Sequence, residues 1–187
     1  MHVTRPPVSR MSDVTTLADL KTFLRVDHDE EDDLITGLAD AAIQWCEDYC
    51  NRKFATGSTA VFYLERFRPA ALAYGPVTSL VDVRYFDTAG VKQVLDSSKY
   101  YHEAMNNGSV MLYFHDVPDL EDYNAHPVLV NANVGTTATK QVKQAVNLLV
   151  GHWYENRRTV VTGTIATSIP FAVEALLSSQ RILDMRQ

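Results

Sequence analysis

The feature that most constrains the fold is the segment from Lys140 to Arg158, KQVKQAVNLLVGHWYENRR. Its apolar residues recur at steps of three and four, which is the spacing of one face of an α-helix. Thr137 or Thr139 can cap the start of this helix, and the arginine pair at its end lies where the helix dipole favours positive charge. The pattern predicts an amphipathic helix over residues 139–158 whose core-facing side is formed by Val142, Val146, Leu149, Val150, Trp153 and Tyr154.

Two further helices are predicted before it, over residues 16–26 and 29–52. Thr15 or Thr16 can cap the first of them, and Asp19 follows Thr16 at the spacing of a capping box. The acidic run from Asp27 to Asp33 opens the second helix, where the exposed N–H groups and the dipole stabilise carboxylates. A calcium loop of the EF-hand type is disfavoured, because its glycine and glutamate positions hold Asp32 and Leu38.

Between these helices the pattern changes to short β-rich runs within residues 58–135. The predicted strands are Ala60–Glu65, Val77–Phe86, Val91–Leu95, Tyr100–Glu103, Val110–Phe114 and Val128–Val134. Gly90 and Gly108 mark two hairpin turns, and residues 115–127 form a polar, proline-containing loop that we expect to be exposed. The predicted fold is therefore α+β, a small helical bundle built on a long helix in the C-terminal half, with an inserted antiparallel β unit.

The two ends of the chain lack the long patterns of the middle. Residues 1–14 contain a Pro-Pro pair and no periodicity, which predicts an extended N-terminal arm. Residues 159–187 contain a Thr-rich, β-prone stretch and then a short helix with Pro170 in its first turn. We therefore expect a central domain over residues 15–158, and a C-terminal extension over residues 159–187 that is suited to docking on another chain.

Charge is unevenly distributed along the chain, whose net charge is −6. Residues 12–54 hold eleven acidic and four basic residues, whereas residues 135–187 hold three acidic and six basic residues. This argues against a dedicated duplex-DNA binder and favours contacts with different partners at the two ends, including copies of the same chain. Cys46 and Cys50 lie four apart in a helical pattern and are expected to be buried thiols, which fits a reducing compartment. No apolar run reaches the length of a membrane-spanning helix.

Reactive residues form no recognisable catalytic, cofactor-binding or metal-binding motif. The six histidines show no metal-ligand spacing, and His152 on the long helix is expected to be a packing or interface histidine. Asp116, Asp119, Glu121 and Asp122 could gather a metal, but a solvated acidic loop is the favoured interpretation. Two alternatives stay open: a small binding or regulatory protein with the same helix–sheet–helix layout, and an enzyme with an unfamiliar site near His152 or the acidic loop.

Several segments, taken in order, resemble one family. They are the opening TLADLKTFLRVDHDEEDDLI from Thr16, Glu47–Tyr49, Pro76-Val77, Tyr85–Asp87 with Gly90, Tyr100, HWYENR from His152, and IPFAVEALL from Ile169. Together they cover about Thr15 to Arg181 and are similar to the head–tail connector (adaptor) proteins of long-tailed bacteriophages. The arm and the length of the loop over residues 116–127 depart from the family pattern.

The resemblance implies a structural protein of the virion neck, made in the host cytoplasm. Members of the family form a ring, typically of twelve subunits, below the portal protein. The ring extends the DNA channel, which DNA traverses without sequence-specific binding, and carries the stopper or tail completion protein. We expect the C-terminal extension to contact the portal or a neighbour through apolar and basic side chains, namely Phe171, Leu176, Leu177, Arg181, Ile182 and Arg186.

Overall fold

The computed structural model describes residues 1–156 and 171–182. Its contacts divide the chain into two compact units. One comprises Met1–Pro7, Thr56–Thr136 and Ile182–Gln187, and is called the β unit here. The other comprises Val8–Ala55 and Thr137–Arg181, and is called the helical unit. Helices and antiparallel sheets are both present, which confirms the predicted α+β class.

The β unit consists of two antiparallel sheets. Its strands are β1 His2–Thr4, β2 Ser58–Leu64, β3 Ala70–Leu72, β4 Val77–Phe86, β5 Lys92–Val94, β6 Tyr100–Ala104, β7 Val110–Phe114 and β8 Val128–Val134. The five-stranded sheet has the order β1-β2-β8-β4-β5, and the three-stranded sheet has the order β3-β7-β6. Tight turns join neighbouring strands at Gly90 and Gly108, whose φ angles of 73° and 87° favour glycine.

Alternation along the strands builds the core of this unit. In β8, alternate residues from Val128 to Val134 are fully buried, while Asn131 and Asn133 between them are partly exposed. Because successive side chains of a strand point to opposite faces, one face of β8 packs inward. The buried residues of β8 belong to a core that also contains Phe62, Leu64, Leu72, Val83, Val110 and Leu112.

The N-terminal segment differs from the expected extended arm. His2–Thr4 form β1, which pairs with β2 through His2↔Tyr63, Val3↔Phe62 and Thr4↔Val61. Met11–Val14 form a short helix, α1. Strand β3 was also not predicted; it pairs with β7 in the smaller sheet. These elements are three or four residues long, which is too short for periodicity to reveal them.

The helical unit contains α1, α2 Leu17–Leu24, α3 Asp32–Cys50, α4 Lys140–Glu155 and α5 Phe171–Leu177. Thr16 accepts a hydrogen bond from the backbone N–H of Asp19 at 3.1 Å, and Thr139 accepts one from that of Val142 at 3.4 Å. Both predicted N-caps therefore satisfy a free N–H of the first turn. Helix α3 ends at Asn51, whose left-handed conformation (φ 51°) closes the helix in the manner of a C-cap.

The core of the helical unit is built on α3 and α4. Val146, Leu149 and Val150 of α4 are fully buried, while Trp153 and Tyr154 are partly buried and pack against the same cluster. The Tyr154 hydroxyl donates a hydrogen bond to Glu31 at the N-cap of α3. The apolar face recognised in the sequence is therefore the face that packs in the structure.

Candidate interaction surfaces

The short helix α5 packs into the helical unit instead of standing apart from it. Val173 and Leu177 are fully buried in the core that α3 and α4 share. The Gln180 side chain donates a hydrogen bond to Gln141 of α4 at 3.0 Å. The Arg181 guanidinium lies 4.7 Å from the centroid of the Tyr49 ring, within the range of a cation–π contact. Buried apolar side chains hold α5 itself, while a hydrogen bond and a cation–π contact hold the residues that follow it.

The predicted contact residues of this segment differ in how far they are exposed. Leu177 and Ile182 have no exposed surface, so the expectation that they anchor a partner is corrected: both serve the interior of this chain. Leu176 is partly buried and Arg181 is exposed. Phe171 at the start of α5 is 83% exposed, and it is the predicted apolar contact that remains available. Arg186 and the Thr-rich stretch over residues 159–168 lie outside the described residues.

A buried polar network at the end of α3 was not predicted. The Glu47 carboxylate accepts hydrogen bonds from the Ser9 hydroxyl, the backbone N–H of Phe54 at 2.9 Å and the Lys53 ammonium at 3.3 Å. The side chains of Glu47 and Lys53 are 7% and 2% exposed. Charged groups are tolerated at such depth only when they are paired, so this network ties the segment around Ser9 to α3. Nothing in the sequence around Lys53 indicates that its side chain is buried.

The acidic run before α3 is partly neutralised within the chain. The Lys21 ammonium contacts Asp29 at 2.5 Å and Asp32 at 2.8 Å. The hydrogen bond to Asp29, followed in size of effect by the one to Asp32, raises the pKa of Lys21. The hydrogen bond that Lys21 donates to Asp29 lowers the pKa of Asp29. This agrees with the interpretation of the run as the start of a helix.

The candidate reactive groups divide between the two units, with His152 in the helical unit and the acidic loop in the β unit. His152 is partly buried in the last turn of α4, where its carbonyl accepts a hydrogen bond from the Asn156 side chain at 2.8 Å. No group of three potential metal ligands occurs among residues 1–156 and 171–182, the acidic loop included. Within the same ranges, no helix has the length and apolarity to cross a membrane. Cys46 and Cys50 are buried thiols, and burial raises the pKa of Cys50 to about 11.

Three aromatic side chains are largely exposed on the described surface. Tyr123 in the loop after β7 is 98% exposed, Phe171 is 83% exposed, and Tyr101 on β6 is 51% exposed. Aromatic residues are enriched at the centres of protein interfaces, so these three side chains are the candidates for contacts with other proteins.

Comparison with known proteins assigns the chain to a family. A family model described as "Head completion protein" matches residues 13–183, and the chain belongs to that family. It is therefore a structural, non-enzymatic protein of the bacteriophage head–tail connector, as the sequence resemblance implied. No curated protein matches the chain.

Solved structures share its fold. A chain from the neck of an empty gene transfer agent (GTA) particle, computed with C6 symmetry, matches with a TM-score of 0.74 and 18% identity. A chain from the virion of the native particle matches with a TM-score of 0.75 and 18% identity. A chain from the native neck computed with C12 symmetry matches with a TM-score of 0.69 and 17% identity. Each match covers 99% of this chain and 97% of the matched chain.

Proposed function

We propose that this protein is the adaptor subunit of the neck, and that it forms a ring of twelve copies beneath the portal protein. The observation that carries the proposal is the match to the head completion family over residues 13–183, which is nearly the whole chain. Support comes from the neck particles in which chains of the same fold occur, since these were computed with C6 and C12 symmetry. A ring with cyclic symmetry requires one contact to repeat from subunit to subunit.

In this role the ring extends the DNA channel and joins the capsid to the tail. Its partners are the portal protein on one side and a stopper or tail completion protein on the other. The net charge of −6 suits a channel through which DNA slides, because acidic groups repel phosphates and do not bind them. The subunit would be made in the host cytoplasm and incorporated into the virion neck.

Phe171 is the portal-contact residue that the structure favours. It is 83% exposed at the first position of α5, while Val173 and Leu177 of the same helix are buried. An aromatic side chain presented from a packed helix loses little conformational freedom on binding, which is a common property of interface hot spots. Leu176 and Arg181 would lie at the edge of the same contact. The expected role of residues 159–187 as the contact-making extension remains part of this proposal.

The ring is tested by imaging the neck. Two-dimensional class averages of particles that carry this protein should show a ring with a central hole about as wide as duplex DNA. A second set, from particles made without the gene for this chain, should lack the ring and should not join tails. If the ring is present in both sets, another protein forms it and the proposal is wrong.

The portal contact is tested by the substitution Phe171→Ala. We expect unchanged thermal unfolding, because the side chain lies in water, and binding to portal-bearing capsids weakened by about 10- to 30-fold. Tyr123→Ala is the matched control, since it removes an exposed aromatic ring from the β unit and leaves α5 unchanged. Binding of the Phe171 variant at the level of the wild type would contradict the assignment.

Truncation after Arg158 is a less specific test of the same contact. It would remove Val173 and Leu177 from the core of the helical unit together with Phe171. A loss of binding would then report unfolding as readily as a lost contact. The single substitution separates the two effects.

A further inference from the structure

Helix α2 gains less from packing than the two long helices of the helical unit. Leu20 is the one residue of α2 that is buried, and Leu17 and Leu24 pack against the core only in part. Phe23 on the same helix is 40% exposed. By contrast, α3 buries seven residues and α4 buries six. Because burial of apolar surface is the main stabilising term in folding, α2 contributes little of that stabilisation for its length.

Two buried oxygen atoms border α2 without a hydrogen-bond partner in the described part of the chain. One is the hydroxyl oxygen of Thr15, the residue immediately before the N-cap of α2, and the other is the side-chain oxygen of Asn147 on α4. Thr15 is 3% exposed and Asn147 is 8% exposed. Among the described residues these are the two buried side-chain atoms of this kind. A buried polar atom without a hydrogen bond opposes the packing that buries it.

Asn147 lies on the side of α4 that α2 covers. One turn before it, the Lys143 ammonium contacts the Asp19 carboxylate of α2 at 2.7 Å. One turn after it, Gly151 lies so close to α2 that a Cβ atom added there would be 3.1 Å from the Phe23 ring. Residues four apart share one helix face, so Asn147 lies between these two contacts. Lifting α2 would therefore expose the Asn147 oxygen to water.

The charged contacts of α2 add little to its attachment. The side chains of Lys143 and Asp19 are 39% and 47% exposed, so their ion pair lies at the surface. Lys21 contacts Asp29 at 2.5 Å, but the Asp29 side chain is 90% exposed. Ion pairs of this kind exchange for water at small cost and are weakened by salt. They do not offset the two unpaired oxygens.

We propose that α2 is a latch on the helical unit: the segment Thr16–Val26 opens on its own while α3, α4 and α5 keep their packing. Opening lets water reach the oxygens of Thr15 and Asn147, which offsets part of the lost burial of Leu20. Segments with few buried apolar contacts open in this way before the rest of a protein unfolds. The latch gives the subunit one helix that can change position at low cost. The inference concerns the isolated subunit and stands independently of the proposed ring.

Native-state hydrogen exchange, followed by NMR at increasing urea concentrations, tests the latch. The N–H of Leu20 donates to the carbonyl of Thr16 at 3.1 Å and that of Val26 to the carbonyl of Lys21 at 3.0 Å, so both exchange only when α2 opens. We expect the amides from Leu20 to Val26 to exchange at least about tenfold faster than those of Leu149 and Val150 on α4. Their rates should depend only weakly on urea, because opening the latch exposes little surface. Equal rates with equal urea dependence in the two helices would overturn the inference.

The substitution Asn147→Leu tests the cause of the opening. Leucine has nearly the shape of asparagine and replaces the unpaired oxygen by a methyl group, so the closed latch should become more stable. We expect exchange of the α2 amides to slow by about fivefold or more. Gln144→Leu is the matched control, because it makes a similar change at an exposed position of the same helix and should leave these rates unchanged. Exchange of α2 at the wild-type rate in the Asn147 variant would contradict the assigned cause.

The substitution Val173→Ala tests whether α2 opens separately from the core. Val173 is fully buried in the core that α3 and α4 share with α5, and its truncation weakens that core. We expect the amides of Leu149 and Val150 to exchange about tenfold faster in this variant, while the α2 amides keep their wild-type rates. This split is the property that defines a separately opening segment. If the α2 amides accelerate by the same factor as the α4 amides, α2 opens only when the whole unit unfolds and there is no latch.

Discussion

The buried pair of Glu47 and Lys53 supports a quantitative prediction about stability. Replacing Lys53 by Met keeps an unbranched side chain, shorter by the terminal nitrogen, and removes its charge. The Glu47 carboxylate, 7% exposed, would then keep the hydrogen bonds from Ser9 and Phe54 but lose its cation. Removal of one partner from a buried ion pair costs about 3–5 kcal/mol. We therefore expect Lys53→Met to lower the free energy of unfolding by about that amount.

The loss of stability caused by Lys53→Met depends on the Glu47 charge that remains, and the same substitution in a chain without that charge tests this. In a Glu47→Gln background the buried anion is absent while an amide oxygen can still accept the Ser9 and Phe54 hydrogen bonds. Lys53→Met should then cost no more than about 1 kcal/mol, because it no longer leaves a carboxylate without its partner. The coupling between the two substitutions should be at least about 2 kcal/mol.

Urea unfolding followed by tryptophan fluorescence measures these changes in the free energy of unfolding for the helical unit. The two tryptophans, Trp45 and Trp153, both lie in the helical unit. With a slope of roughly 2 kcal/mol per M, the Lys53 variant should unfold at a urea concentration lower by more than about 1 M. Lys140→Met is the control, since Lys140 is exposed at the start of α4 and should change stability by less than about 0.5 kcal/mol. Equal costs of Lys53→Met in the two backgrounds would refute the reasoning.

Two further predictions concern thiol reactivity and acid sensitivity. Cys46 and Cys50 are fully buried, and burial raises the pKa of both thiols. Neither should therefore react with an aromatic disulfide reagent at pH 8 until urea unfolds the helical unit. Labelling of the folded protein would contradict this. In the β unit, burial raises the pKa of Asp82, but hydrogen bonds from Arg84 and Asn131 outweigh it and hold the pKa below its ordinary 3.8. The stabilising effect of this carboxylate is therefore present above about pH 4 and lost as the pH falls through the folded-state pKa. The stability difference between wild type and Asp82→Asn, measured by circular dichroism in urea, should narrow below about pH 4, and a difference that stays constant down to pH 2 would argue against the assignment.

The long elements could be predicted from the sequence because their signals are local. The apolar spacing from Val142 to Tyr154 specifies one helix face, and the threonines at 137 and 139 mark where that helix can begin; Thr139 is the N-cap in the structure. Alternation and turn glycines located six of the strands, from β2 to β8 with β3 excepted. Each of these signals comes from residues within a few positions of one another. The resemblance to a connector family rests on the order of the same segments.

The short elements and the buried charges could not be found in this way. Strands β1 and β3 are three residues each and are defined by their pairing with β2 and β7. Lys53 follows a helix end, where a lysine is ordinarily exposed, and is buried because Glu47 and Ser9 are brought beside it. Ser9 and Glu47 are 38 positions apart in the chain. No pattern over a few residues contains that information.

The C-terminal helix shows the same limit for function. Its apolar residues, Phe171, Val173, Leu176 and Leu177, predict a surface that must be covered but not what covers it. The sequence by itself determined where helices and strands form, and that the chain resembles a connector protein, because these depend on local spacing and residue order. Only the tertiary structure decided that Leu177 and Ile182 are interior while Phe171 and Tyr101 remain exposed. Burial of apolar area is non-directional, so the packing of distant segments decides which side chains are left for a partner.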